Sequence, residues 1–255
     1  MKNLTLLFST LLLSALNPAV VSAESIATIK ENGEFKICVH KKALPFSEEK
    51  SASGMHIDLA TLIAEELKVP LKLAWVNLPR YAKYVKCDAF MGVGIFPGEE
   101  EGFLKKTKPY AQIEILSITN TNRQLKSLDD FNGLRVATTS GSLIHMALLK
   151  QDTEIFVSHL TDDAILTALA NGDVDVGIVA NSGWGWYKKN NPQATDKFHS
   201  QSTKFLNPTN GYPLGIGFRN ADNATVTEAN EILARIKERG DLAKLLDKYG
   251  LEPAE

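Results

Sequence analysis

Strand-like and helix-like segments alternate along the chain from residue 34 onward, and this alternation constrains the fold more than any other feature. Residues 35–39 begin with apolar–polar alternation and then become continuously apolar, as a strand entering a core does. Apolar residues three or four apart over residues 55–67 predict an amphipathic helix. Residues 71–76 and 89–93 indicate two further strands. This order implies parallel strand pairing with helices on the faces of the sheet.

The same rhythm restarts in the second half of the chain. Strands are predicted at residues 113–119, 135–138, 174–179 and 215–218. The helices predicted between and after them are one opening at Gly141 with Leu143, Met146 and Leu149 on its apolar face, one capped by Thr161, and two tail helices ending at Gly240 and Gly250. The segment 180–187, which contains glycines and aromatic residues, is expected to be a loop.

Two such units in one chain predict an α/β protein with two lobes and a ligand cleft between them. We expect lobe one to hold residues 24–113 and 219–255, and lobe two to hold residues 118–214. The joining hinge strands are expected at residues 113–118 and 214–219. A length of 255 residues with 44% hydrophobic and 23% charged residues suits such a globular chain and excludes a disordered one.

The first 23 residues have the pattern of a secretory signal peptide, which is not part of the fold. Lys2 gives a positive start, residues 4–16 are almost wholly apolar, and Val21-Ser22-Ala23 fits a cleavage site. The alternative is a short membrane anchor, but the apolar run is too short to span a bilayer. No later run is long enough either, so the mature chain is expected in the periplasm and not in the membrane.

Charge and cysteine content narrow the classes further. A formal net charge of -2 gives no basic excess for neutralising phosphates, so a nucleic-acid partner is excluded. Cys38 and Cys87 are the only two cysteines, and export favours a disulfide between them. Two buried thiols or half of a metal site are the alternatives, although no CxxC or HxxxH spacing supports a metal.

An ordered set of segments resembles the family 3 solute-binding proteins, the periplasmic receptors of polar amino-acid ABC transporters. The segments are "LKSLDDFNGLRVATTSGS", "DDAILTALANGDVDVGIVA" and "GIGFRN", followed by two tail helices. The resemblance implies the two-lobed type II periplasmic binding-protein fold, with two hinge crossings and a small-molecule solute held between the lobes. It also implies an ABC permease as partner. We expect a monomer without a cofactor or metal.

The charged anchors usual in that family depart from its pattern. An Arg that forks onto the ligand carboxylate usually follows the third strand, but "GIFPGEEEGFLKKTKPY" has Glu99–Glu101 there and no Arg. An Asp for the ligand ammonium usually ends the lobe-two strand, where this chain has Ala180 and Asn181. A standard α-amino-acid ligand is therefore doubtful. The three glutamates are either a solvated patch or a feature favouring a cationic or amine-bearing solute.

Other segments resemble a subgroup, the periplasmic binding proteins associated with quinoprotein alcohol dehydrogenases. These segments are "CVHKKALPFS", "CDAFMGV", the stretch from Trp75 to Tyr81, and "NSGWGWY". This second resemblance implies an accessory role beside a periplasmic dehydrogenase, or capture of its quinone cofactor.

Solutes bind at the carboxyl ends of strands in open α/β sheets, and this rule selects four loops. The predicted ligand-binding residues are His40 and Phe46; Met91, Gly92 and Val93; Thr139, Ser140, Gly141 and Ser142; and Asn181, Trp184 and Trp186, with Arg80 and Tyr81 across the cleft. Aromatic rings can stack on a flat solute, glycines allow close approach, and the hydroxyls lie at a helix N-terminus. The alternatives are core packing for the aromatic residues, solvation for His40 and helix capping for the two serines.

An enzyme is the remaining alternative, since some periplasmic dehydratases use this scaffold. The sequence shows no nucleophile elbow and no metal-ligand spacing. Glu99–Glu101 and His40 are the only acid–base candidates, so a binding protein is expected.

Overall fold

A computed structural model of the chain describes residues 25–77, 82–96, 98, 104–120, 122–206 and 211–254. The predicted signal peptide lies outside these ranges. The helices are α1 (Ile26–Asn32), α2 (Met55–Leu67), α3 (Ala82–Val85), α4 (Leu143–Leu148), α5 (Asp162–Asn171), α6 (Asn181–Asn190), α7 (Pro192–Thr195), α8 (Asn223–Glu238) and α9 (Asp241–Tyr249). In these ranges no helix combines the length and apolarity that a membrane crossing requires.

The strands form one large mixed sheet and one small hairpin. They are β1 (Phe35–His40), β2 (Lys42–Ala43), β3 (Ser47–Glu48), β4 (Leu71–Val76), β5 (Ala89–Gly94), β6 (Leu104–Lys106), β7 (Ala111–Thr119), β8 (Arg135–Ala137), β9 (Glu154–Phe156), β10 (Val176–Ala180), β11 (His199–Ser202), β12 (Gly211–Arg219) and β13 (Glu252–Pro253). The large sheet has the order β4-β1-β5-β12-β7-β10-β8-β9, and β2 pairs with β3.

The strand pairing has two parallel regions joined by antiparallel strands. β1 lies parallel to β4 and β5, and β8 lies parallel to β9 and β10, so the parallel pairing expected from the alternation is confirmed. Between these regions, β7 pairs antiparallel with β12 through one half of its length and with β10 through the other half. The strand β7 therefore belongs to both parts of the sheet.

The first hydrophobic core joins the N-terminal part of the chain to the tail. Phe35, Met55 and Phe218 are fully buried in it, and apolar residues of α8 and α9 pack against α2. The helix predicted over residues 55–67 is thus confirmed by α2. Ion pairs reinforce the packing at its edge, where Glu66 of α2 meets Arg235 of α8 at 2.8 Å.

The second half of the chain contributes two further buried clusters. One surrounds Ile118 and Leu166, and the other surrounds Phe131 and Val136. Ile115, in the middle of β7, packs against both the first core and the cluster around Phe131. The proposed lobe boundaries stay a prediction. Residues 214–218 of β12 lie within the first core, which favours a second crossing before Leu214.

The apolar face predicted for α4 is wrong. Leu143, Met146 and Leu149 are 67%, 54% and 57% exposed, whereas Ile144 and Leu148 are buried. Because α4 has only six residues, a single pair one turn apart makes its contact with the core. The three exposed side chains form an apolar surface instead.

The loop expected at residues 180–187 is a helix, α6. Its two glycines have low helix propensity, which explains the wrong prediction. Both lie at close contacts: a Cβ on Gly183 would meet the Asp162 carboxylate, and one on Gly185 would meet the backbone of Gly250. Tertiary packing therefore selects glycine at these helical positions.

Cys38 of β1 and Cys87, just before β5, form a disulfide, as predicted. Both cysteines are buried, at 5% and 0% exposure, in a small cluster with Ala74 and Val76. The sulfur bridge closes a chain segment with a sequence separation of 49 residues. It thus fixes β1 to the start of β5 in the first half of the sheet.

Replacement of both cysteines by alanine should lower the free energy of unfolding by about 4 kcal/mol, because the unfolded chain regains the entropy of the opened loop. Urea denaturation followed by circular dichroism measures this change. Chemical reduction of the unmodified protein serves as the control and should give a similar loss. A loss below about 1 kcal/mol in both experiments would contradict this account of the bridge.

Candidate functional site

A cavity of about 180 Å³ lies where β8 and β10 end. Its polar lining comes from Thr138, Thr139 and Ser142 after β8, and from Asp162 at the start of α5. Ala180, the last residue of β10, forms part of the wall, as do apolar side chains including Ile115. This is the edge of an α/β sheet at which small ligands bind, so it is the candidate site.

The loop after β8 offers hydroxyl groups in two different states. Ser142 caps α4, since its Oγ accepts a hydrogen bond from the His145 N–H at 3.1 Å. The His145 ring is also engaged, because its Nδ1 accepts from the Gly141 N–H at 3.0 Å. Thr139 is exposed, and its hydroxyl has no hydrogen bond within the described residues. Thr139 is thus the hydroxyl most available to a solute, while the capping alternative fits Ser142.

Asp162 is a site residue that the sequence pattern did not reveal. Its Oδ2 accepts a hydrogen bond from the Ala180 N–H at 3.2 Å, which places a carboxylate beside the end of β10. Burial raises the pKa of this carboxyl to about 6. The absence of a Cβ at Gly183 leaves the room that the carboxylate occupies. In sequence, nothing distinguishes Asp162 from any acidic residue that begins a helix.

Two aromatic rings lie on the other side, at the carboxyl end of β5. The rings of Phe96 and Tyr212 are 5.5 Å apart, and Gly94 lies against both. Burial raises the pKa of the Tyr212 hydroxyl, and the negative charge of Asp162 raises it further. Tyr212 is therefore close enough to feel that charge. Neither ring was predicted, because each sits in a segment without a recognisable motif.

A buried hydrogen-bonded group supports the turn at Gly92. The His56 ring lies under Gly92, whose φ of +72° and lack of a Cβ allow the contact. Nε2 of His56 and the Tyr110 hydroxyl share a hydrogen bond of 3.0 Å. The ring of Phe46 stacks on His56 at 4.6 Å. Phe46 thus packs on the first core, as its alternative interpretation held, and Gly92 belongs to a rigid support.

The remaining predicted residues of the first half take varied positions. Met91 is buried in the first core, and Val93 is half-buried against Gly217. His40 is in a local turn, where its Nδ1 accepts from the Lys42 N–H at 3.1 Å. Arg80, Tyr81 and Glu99–Glu101 lie outside the described residues.

The residues predicted from the α6 segment do not line the cavity. Both ends of the Asn181 amide are engaged: Oδ1 accepts from the Glu114 N–H at 3.2 Å, and Nδ2 donates to the Gln112 carbonyl at 3.0 Å. Trp184 is buried beside Phe198. Trp186 stacks on Tyr249 and packs on the first core, so the packing alternative fits both tryptophans. Ser140 and Gly141 are exposed in the loop before α4.

Two larger cavities lie elsewhere along β7. One of about 360 Å³ is bordered by Arg123 and His199, and one of about 240 Å³ by Trp184 and Lys188. Both adjoin β11 and not the carboxyl ends of parallel strands, so their position is less suited to a solute. The described part of the chain holds no group of three His, Cys, Asp or Glu side chains suited to a metal ion.

Comparison with known families identifies a match over most of the chain. The family described as "Bacterial extracellular solute-binding proteins, family 3" matches residues 35–252. A protein named "Probable histidine-binding protein" from Neisseria gonorrhoeae is 22% identical over 225 residues, which cover 84% of this chain and 82% of that protein.

Solved structures show the same architecture. An ancestral cationic amino-acid solute-binding protein, AncCDT-1, has a TM-score of 0.71 at 22% identity, covering 88% of this chain and 99% of the other. The periplasmic binding protein XoxJ from Methylobacterium extorquens AM1 has a TM-score of 0.67 at 21% identity, covering 87% and 99%. At these identities the likeness establishes the fold. The predicted α/β, two-lobed type II periplasmic binding-protein fold is confirmed.

Burial of His56 should make stability depend on pH. Its pKa is lowered from 6.5 to about 3, because the buried ring cannot easily carry a charge. The unfolded chain therefore binds a proton first, and the contribution of the neutral ring, complete above pH 6.5, is lost as pH falls towards about 3.

The measurement is urea unfolding between pH 7.5 and pH 4 for the unmodified protein and for His56→Gln. The loss of stability on acidification should be smaller in His56→Gln. His199→Gln, at an exposed position, should behave like the unmodified protein. Equal pH dependence in all three proteins would show that His56 is not buried neutral.

Proposed function

This chain belongs to the bacterial extracellular solute-binding proteins of family 3, and we propose that it captures a small polar solute in the periplasm for an ABC transporter. The observation that carries the proposal is the cavity of about 180 Å³ at the ends of β8 and β10. The cavity combines hydroxyls, one carboxylate and apolar walls. Small-molecule sites have this composition, with a few polar groups that orient the ligand on a mostly apolar surface.

The proposed mechanism is reversible closure of two lobes. We assign residues 24–113 and 219–255 to one lobe and 118–214 to the other, with hinge strands near 113–118 and 214–219. A solute held by Thr139 and Asp162 that also touches Tyr212 makes more contacts when the lobes approach. Binding then shifts the population towards the closed form, which a permease can recognise.

A second role, as accessory protein of a quinoprotein dehydrogenase, has its own supporting observation. Leu143, Met146 and Leu149 expose an apolar surface on α4, beside the cavity. Exposed apolar surfaces often contact other proteins. Capture from periplasmic extract distinguishes the two roles, since a permease supports transport and a dehydrogenase supports the accessory role. Catalysis of the dehydratase type is not proposed.

Binding should be detectable directly with the purified mature protein. Thermal-shift screening with amino acids, polyamines, organic acids and a quinone cofactor should find at least one stabilising solute, because a ligand that binds only the folded state raises the unfolding temperature. Titration calorimetry then gives its Kd. If no compound of these classes stabilises the protein, solute capture is contradicted.

The residue test for this site is Thr139→Val, which removes a hydroxyl and keeps the β-branched shape. The Kd for the stabilising solute should rise by about 3- to 10-fold, as expected for loss of one hydrogen bond. Thr227→Val on exposed α8 is the matched control and should leave the Kd unchanged. Equal Kd values for the two variants would place the solute elsewhere.

A further inference from the structure

The Asp162 carboxylate is an incompletely satisfied negative group in the wall of the cavity. Within the described residues its only hydrogen bond comes from the Ala180 N–H, at 3.2 Å, and it has no ion pair. A carboxylate can accept about four hydrogen bonds, so most of its capacity is unused. Burial of such a group without a positive partner costs free energy, and its pKa is raised to about 6 accordingly.

The lining of the cavity supplies no compensating charge. Its other described polar residues are Thr138, Thr139 and Ser142, whose hydroxyls are neutral. No Lys, Arg or His is among the described lining residues. The cavity is thus suited to a positive group near Asp162, and it offers little to hold a ligand carboxylate.

The aromatic pair provides a second feature that attracts a cation. Phe96 is 51% exposed, and its ring lies 5.5 Å from that of Tyr212 at an interplanar angle of 43°. A Cβ on Gly94 would lie 2.8 Å from the Phe96 ring and 3.1 Å from the Tyr212 ring, so this glycine allows the arrangement. The faces of such rings attract ammonium groups. The electrostatic effect of Asp162 on Tyr212 shows that carboxylate and ring lie near each other.

We propose that Asp162, together with Phe96 and Tyr212, forms a subsite for a protonated organic amine, and that the preferred solute is an amine without a carboxylate group. This inference rests on the proposed function, since it requires the solute to enter this cavity. The ammonium group donates hydrogen bonds to the carboxylate and lies against the aromatic rings. The Thr139 hydroxyl remains available to a second polar group of the solute.

Matched probes test the chemical class. Cadaverine carries two ammonium groups, 1,5-pentanediol replaces them with hydroxyls, glutarate replaces them with carboxylates, and L-lysine adds one carboxylate to cadaverine. Calorimetry with the mature protein should give the tightest binding for cadaverine, weaker binding for L-lysine, and the weakest for 1,5-pentanediol and glutarate. Tighter binding of glutarate or L-lysine than of cadaverine would overturn the inference while leaving solute capture intact.

Variants test the residue. Asp162→Asn keeps an acceptor for the Ala180 N–H and should weaken cadaverine binding by about 10- to 100-fold, as expected for loss of a charge-assisted hydrogen bond. Asp163→Asn, the exposed neighbour on the same helix, is the matched control and should change the Kd by less than about twofold. Phe96→Leu should weaken binding by about 3- to 10-fold through loss of the ring.

Control measurements separate binding from folding. Urea unfolding of Asp162→Asn should show stability equal to or above that of the unmodified protein, because a buried charge is removed. Cadaverine binding that is equal in Asp162→Asn and Asp163→Asn would overturn the subsite but not the proposed function. Absence of binding by every probe and by the wider solute panel would overturn both.

Discussion

The shared strand β7 is the constraint on which the rest of the structure depends. One half of it is hydrogen-bonded to β12 and the other half to β10, so two parallel regions of sheet meet along a single backbone segment. Ile115, at the junction, packs into cores on both sides and also lines the candidate cavity. The place where a solute would sit is therefore tied to the place where the two halves join.

Helix α6 strengthens this junction from the second half of the chain. Asn181 bonds to the backbone of β7 on both sides of Ile113, and Gly185 touches Gly250 after α9. Trp184 and Trp186 then enter different cores. These contacts leave the polar groups at the end of β8 as the variable part of the site. The disulfide and the His56 support stiffen the opposite wall, so the charge of Asp162 is the element that can select a solute.

Local patterns predicted the fold well where one element makes its own contacts. The spacing of apolar residues from Met55 to Leu67 corresponds to α2, and Thr161 caps α5 as expected. Predictions failed where tertiary contacts decide. Short α4 buries only Ile144 and Leu148, and α6 is helical despite two glycines. The pattern also gave no sign of α1, which precedes the first strand.

The site was predictable in part, for a similar reason. Thr139 and Ser142 follow a strand directly, so the carboxyl-end rule locates them. Asp162 and Tyr212 come from separate segments of the chain and approach only through the folded sheet. Aromatic residues near glycine suggested a ligand wall at Trp184 and Trp186, but burial in two cores explains that composition. Prediction of Asp162 required knowledge that Gly183 leaves space beside it.

Hydrogen–deuterium exchange with and without the tightest-binding solute tests most directly whether a solute bridges the two sides of the molecule. The account predicts slower exchange on binding in two separate regions, the loop from Thr138 to Ser142 and the segment of β12 around Tyr212. Protection of only one of these regions, or of the surface near His199 instead, would contradict a solute held between them.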